Sequence, residues 1–79
     1  MTADLFHLGI KPRLARGVRV QAIYDREGWQ PRTFVMRMIR VTENDEAVGT
    51  VCEAPFDVPF RLGDEVQVPL RSIEFILGH

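Results

Sequence analysis

The side chains able to do chemistry in this chain are few and far apart. It has one cysteine, Cys52, and two histidines, His7 and His79. A zinc site needs three or four converging ligands, and neither the number nor the spacing of these residues provides them, so no metal is expected. Cys52 follows Val51 in an apolar stretch and reads as a small hydrophobe. A cysteine nucleophile needs a base beside it, and no position in the sequence supplies one. Asp64 and Glu65 are adjacent, so in a strand their carboxylates point to opposite faces and cannot share a proton or an ion. Glu43, Asp45 and Glu46 lack the spacing and glycine of a calcium loop and read as the solvated tip of a hairpin. There is no glycine-rich phosphate cradle and no Ser–His–Asp set. Neither an enzymatic activity nor a cofactor is expected.

Residues suited to contact stand out more. Trp29 lies in the polar run "DREGWQP", beside Gln30, Pro31 and Arg32. A loop tryptophan next to an arginine has the composition of a protein-binding hot spot. The other reading is that the indole folds back to plug one end of a barrel, and Tyr24, just before the loop, could share either fate. Lys11, Arg13, Arg16 and Arg19 form a basic run without an intervening acid. With Arg32 they are the candidate surface for nucleic acid or an acidic partner; the plainer reading is a solvated basic edge. Ten basic and eleven acidic residues leave a formal charge of -1. That balance argues against a general polyanion binder, whose affinity comes from clustered positive charge.

The elements that must position these residues follow from hydrophobic periodicity. Val18, Val20, Ala22 and Tyr24 alternate with Arg19 and Gln21, as in a half-buried strand. "RTFVMRMIRVT" is the longest strand, with Phe34, Met36 and Met38 on one face and Val35, Ile39 and Val41 on the other; its length offers a second contact surface. Asn44 and Asp45 supply a tight turn. "AVGTVCEA" returns as a strand whose Gly49 marks a bulge or a close backbone approach. Pro55 and Pro59 exclude "PFDVPF" from a central strand. Gly63 and Asp64 then turn the chain into a strand with Val66, Val68 and Leu70 inward, where Pro69 either faces its amide side to solvent or lies at the strand's end. Ile73, Phe75 and Leu77 alternate with Glu74 and close the core. Leu5, Phe6 and Leu8 fit a short turn or helix within the first sixteen residues, which Pro12 keeps from extending. The expected fold is all-β, a single domain over residues 1–79. About five strands form a small, strongly twisted SH3-like barrel behind a short N-terminal turn or helix.

Two resemblances bear on function. The positions Arg32, Phe34, Val35, Gly49, Val51, Pro55, Leu62, Gly63, Asp64, Val66 and Ile73 resemble the pattern of small bacterial β-rich domains of unknown function. In those domains a Gly-x-Val strand is followed by a proline, a leucine near Gly-Asp-x-Val, and a closing isoleucine. This chain has Glu53-Ala54-Pro55 where they often carry Asn-x-Pro, and it lacks their Asp-Trp ending. That resemblance implies a small β-rich domain and no established activity. "VQVPLRSIEFI" is similar, more faintly, to the last strand of the plasmid-borne type II dihydrofolate reductases. Their SH3-like barrels assemble into a tetramer around one active-site pore. By that likeness Gln67 and Val68 would face the pore, but the tyrosine and the tryptophan-rich run of that family are missing.

The remaining expectations concern setting. The lone cysteine rules out an internal disulfide and points to no oxidising compartment. No window approaches the about 18 apolar residues of a membrane span, and the N-terminus lacks the pattern of a signal peptide. A cytoplasmic location without membrane contact is expected. A core from 79 residues leaves a narrow stability margin, so a protein partner or a homo-oligomer, a homodimer first, is the expected company.

Overall fold

The computed structural model describes residues 13–78. They form an all-β fold of five antiparallel strands in one sheet. These are β1 (Arg19–Tyr24), β2 (Arg32–Val41), β3 (Glu46–Glu53), β4 (Glu65–Pro69) and β5 (Ile73–Gly78). The spatial order is β4-β3-β2-β1-β5. No α-helix occurs among the described residues. The expected helix over Leu5 to Leu8 lies outside them.

The shortest connection sets the shape. β4 and β5 occupy opposite edges, yet only the 3-10 turn Leu70–Ser72 separates them. In a flat sheet the outer strands of five would lie about 19 Å apart. Four residue steps from Pro69 to Ile73 reach about 14 Å when fully extended, and a 3-10 turn rises only about 2 Å per residue. The sheet must therefore curl until its edges meet at this corner. No ladder joins β4 to β5; the paired edges are β1 with β2 and β5, and β3 with β2 and β4.

The concave face holds the core. Val20, Ala22 and Met36 are fully buried, with Phe34, Met38, Ala47, Val51, Leu70 and Ile73 packed around them. Leu14 and Val18 cap this cluster from the segment before β1. Alternation places Val20 and Ala22 inward from β1, continuing from Val18 just before it, and Phe34, Met36 and Met38 inward from β2, as the sequence indicates. Tyr24, Val66 and Val68 pack partly against them.

Bulges overturn the alternation in β2 and in β5. In β2, Met38 pairs with Gly49 and Arg40 with Val48, leaving Ile39 as an extra residue. Past that point the parity reverses, so Val41 packs against the core rather than sharing the outer face with Val35. In β5, Ala22 pairs with Ile73 and Gln21 with Phe75, so Glu74 is extra; Val20 pairs with Ile76 and Arg19 with Gly78, so Leu77 is extra too. Phe75 and Leu77 therefore turn outward, 59% and 44% exposed, and Ile76 takes the inward place expected of them. A bulge opposes two residues to one and flips every later side chain; strict alternation cannot anticipate it.

The turns use the residues that permit them. Gly63 has φ 91° between Leu62 and Asp64, and Asp64 Oδ2 accepts from the Arg61 amide at 2.8 Å. Asp45 adopts φ 58° at the β2–β3 tip, and its carbonyl accepts from the Leu70 amide at 3.2 Å. That bond ties the hairpin tip to the corner joining the two sheet edges.

Gly49 lies where β3 comes closest to β2. A Cβ there would stand 2.7 Å from the Arg37 carbonyl oxygen and 3.2 Å from Cγ and Sδ of the fully buried Met36. Both neighbours are fixed, one by the backbone and one by the core. Gly49→Ala should therefore cost about 1–3 kcal/mol, read as a lower urea midpoint with an unchanged slope. An unaltered midpoint would refute the close approach.

Candidate protein-interaction surface

Tyr24 ends β1 and stands opposite Arg32, the first residue of β2. The ladder thus brings two of the expected contact residues to one end of the sheet, with the Asp25–Pro31 loop above them. There the loop between β3 and β4 closes over the core. Phe60 meets Phe34 edge-on at 4.6 Å between ring centroids and Tyr24 at 5.6 Å. Such edge-to-face geometry sets the positive ring edge against the negative face. Phe60 is the aromatic that fills this end of the core. Tyr24 is half-buried beside it, as part of the closure.

Trp29 is left outside, 56% exposed. The Arg26 guanidinium lies over its ring, 5.1 Å from the centroid. This stacking holds the indole against a cation in its own loop while the residue stays more than half exposed. The arginine that meets the tryptophan is therefore Arg26, three residues before it, and not the neighbouring Arg32.

Arg32 instead joins the two loops. Its Nε donates to Asp57 Oδ2 at 2.7 Å, and its Nη1 reaches Gln30 Oε1 and the Pro31 carbonyl, each at 3.3 Å. Asp57 Oδ1 is buried without a hydrogen-bond partner among the described residues. The ion pair draws the Pro55–Pro59 segment down beside the Trp29 loop. Between the two prolines Phe56 projects fully into solvent, and Leu62 further along is 66% exposed. A shallow groove of about 470 Å³ runs along this segment, lined by Pro55, Phe56, Val58, Pro59 and Leu62 among others. Exposed aromatic and aliphatic groups on two tethered loops form a surface suited to a protein partner.

Arg19 does not belong to this end. It stands five ladder positions from Tyr24, about 17 Å away along the strand, and faces Arg37. Arg37 Nη1 donates to the Gly17 carbonyl at 3.0 Å, which places its guanidinium beside the backbone that follows the exposed Arg16. Of the four arginines Arg13, Arg16, Arg19 and Arg32, the ladder thus sets Arg19 and Arg32 at opposite ends of β1, with Arg32 already paired to a carboxylate.

The other chemical groups stay dispersed. Cys52 is half-buried on the outer side of β3, its thiol 3.6 Å from the Thr50 carbonyl. Among the described residues no three His, Cys, Asp or Glu side chains could hold a metal ion. No helix there is long and apolar enough to cross a membrane.

Sequence reasoning missed Phe56, Asp57 and Phe60. The signal was present as a proline-bracketed segment with two phenylalanines and an aspartate. Which phenylalanine faces inward depends on the partner of Asp57, some 25 residues earlier. Removing Arg32 would leave both Asp57 oxygens unpartnered. Arg32→Ala should cost about 1–3 kcal/mol and open residues 54–64 to proteolysis while the sheet persists, observed by denaturation and limited digestion. Equal stability and digestion would show the tether to be dispensable.

No protein-family model matches the chain, and no curated protein and no solved structure matches it.

Proposed function

We propose that this chain is a non-enzymatic protein-interaction module built on a small SH3-like barrel, with the Trp29 loop and the neighbouring Phe56 segment as its contact surface. The barrel reading is supported by the curl that the Leu70–Ser72 connection forces and by the strand order, in which β5 follows β1 and β4 ends the other side. One observation carries the functional reading: Trp29 is 56% exposed while Phe60 does the work of closing the core. An indole not needed for packing, held in place by Arg26 and flanked by a fully exposed phenylalanine, is a pre-organised anchor. The partner is a second protein, or a second copy of the chain, with a hydrophobic recess able to take the ring.

A basic surface is the second reading, and it now rests on Arg13, Arg16, Arg19 and Arg37 at the far end. The Arg19–Arg37 pairing across the ladder favours an anion there. A reductase activity of the type II kind is a distant third. Gln67 projects from β4 with its amide donating to Glu46 Oε1 at 2.7 Å, and the Trp29 loop supplies none of that family's tryptophan-rich run.

A single set of measurements separates these. Proteins captured from the source cell by the immobilised wild-type chain should be lost with Trp29→Ala, which removes an anchor worth about thirtyfold in affinity. Addition of a purified captured protein should shift Trp29 emission to the blue. Retention of the same proteins by the variant, without an emission change, would end the Trp29 reading. Salt-sensitive binding to a random oligonucleotide would favour the basic surface, and oxidation of NADPH with dihydrofolate would favour the third.

A further inference from the structure

The two open edges of the sheet are built differently. β4 carries the exposed polar Glu65 and Gln67 and stops at Pro69, which are the features that keep a sheet edge from pairing. β5 has no proline and no cation; its two bulged residues, Glu74 and Leu77, are irregularities of its ladder with β1, and it presents Phe75 and Leu77 to solvent two residues apart. Its only charge, Glu74, accepts from Gln21 Nε2 of the same sheet at 3.2 Å. No hydrogen bond among the described residues occupies the outer edge of β5.

We infer that a second copy of this chain pairs along β5, antiparallel and about a two-fold axis at Ile76. A two-fold interface must be complementary to itself. Centred on Ile76, the pairing sets Phe75 opposite the partner's Leu77 and Leu77 opposite the partner's Phe75, so both exposed pairs are covered on one face. Glu74 falls opposite the partner's Gly78, where no side chain intervenes. Beyond that glycine, in ladder register with it, lies Arg19 of the same protomer. Arg19 forms no ion pair within the described residues and has Arg37 as its cross-strand neighbour, so a carboxylate reaching it from the partner relieves a like-charge contact. The two-fold axis supplies two such Glu74–Arg19 contacts, one on each side of the apolar centre. No like charges face each other in this register.

This inference shares with the Trp29 reading only the premise that the chain binds protein. It uses another surface, and Trp29 serves to tell them apart. Sedimentation of the full chain from micromolar to millimolar concentration should show monomer passing to dimer with no change in Trp29 emission. Phe75→Lys should raise the dissociation constant by about tenfold or more, and its exposed position spares the core. Arg19→Glu and Glu74→Arg should each weaken the dimer, and the double swap should recover it. Should a variant fold poorly, the wild-type amides of Glu74 to Leu77 should exchange more slowly as concentration rises. A monomer throughout the range, protection independent of concentration, or a double swap no better than either single change would overturn the pairing.

Discussion

Three residues, Leu70 to Ser72, join opposite edges of a five-strand sheet, and the rest of the structure answers to that short reach. Because the edges must meet, the sheet curls. Because it curls, the inner side chains of β1, β2 and β3 converge on Met36 and Met38, and Leu70 and Ile73 are buried at the corner itself. The hydrogen bond from Leu70 to the Asp45 carbonyl ties the β2–β3 tip into the same corner. A left-handed residue at that tip is the small conformational cost of aiming its carbonyl there. A longer connection would let the sheet flatten, and the core would lose its concavity.

Curling is accommodated by bulges, which is where reading the sequence as alternation stops working. Val18, Val20 and Ala22, and then Phe34, Met36 and Met38, could be assigned to the inner face from period two alone, because no extra residue interrupts either run. Gly49 also announced its role, since a glycine inside a strand signals a close approach, and here it meets Arg37 and Met36. Val41 and Phe75 lie beyond extra residues at Ile39 and Glu74, and Leu77 is itself an extra residue. Their orientation depends on which partner residue pairs with which, and no local pattern encodes that.

The loop surface was legible in part for a related reason. Trp29 was visible as a lone tryptophan in a polar loop. Phe60, however, takes the place inside against Phe34 and Tyr24, on the segment that Arg32 tethers through Asp57. Local sequence offers several aromatics for one vacancy. The long-range ion pair selects among them, and the residue left over becomes the contact. Arg19 and Arg32 illustrate the converse, since membership of one arginine-rich half of the sequence does not make them neighbours when a strand's length lies between them.

The same geometry explains why a domain so small keeps apolar side chains in water. A bulge at Glu74 lets β5 follow the curvature of β1, and it turns Phe75 outward in doing so. The concave side gains Ile76 in exchange, so the core stays filled, but the convex side is left with a phenylalanine and a leucine still in contact with water. Exposed apolar pairs on an unpaired strand edge are costly in a monomer, through both the hydrophobic surface and the open backbone groups. The other edge, shortened by Pro69 and faced with Glu65 and Gln67, shows that this sheet can protect an edge. Leaving β5 apolar while β4 is polar and ended by a proline is an asymmetry that packing within one chain does not require.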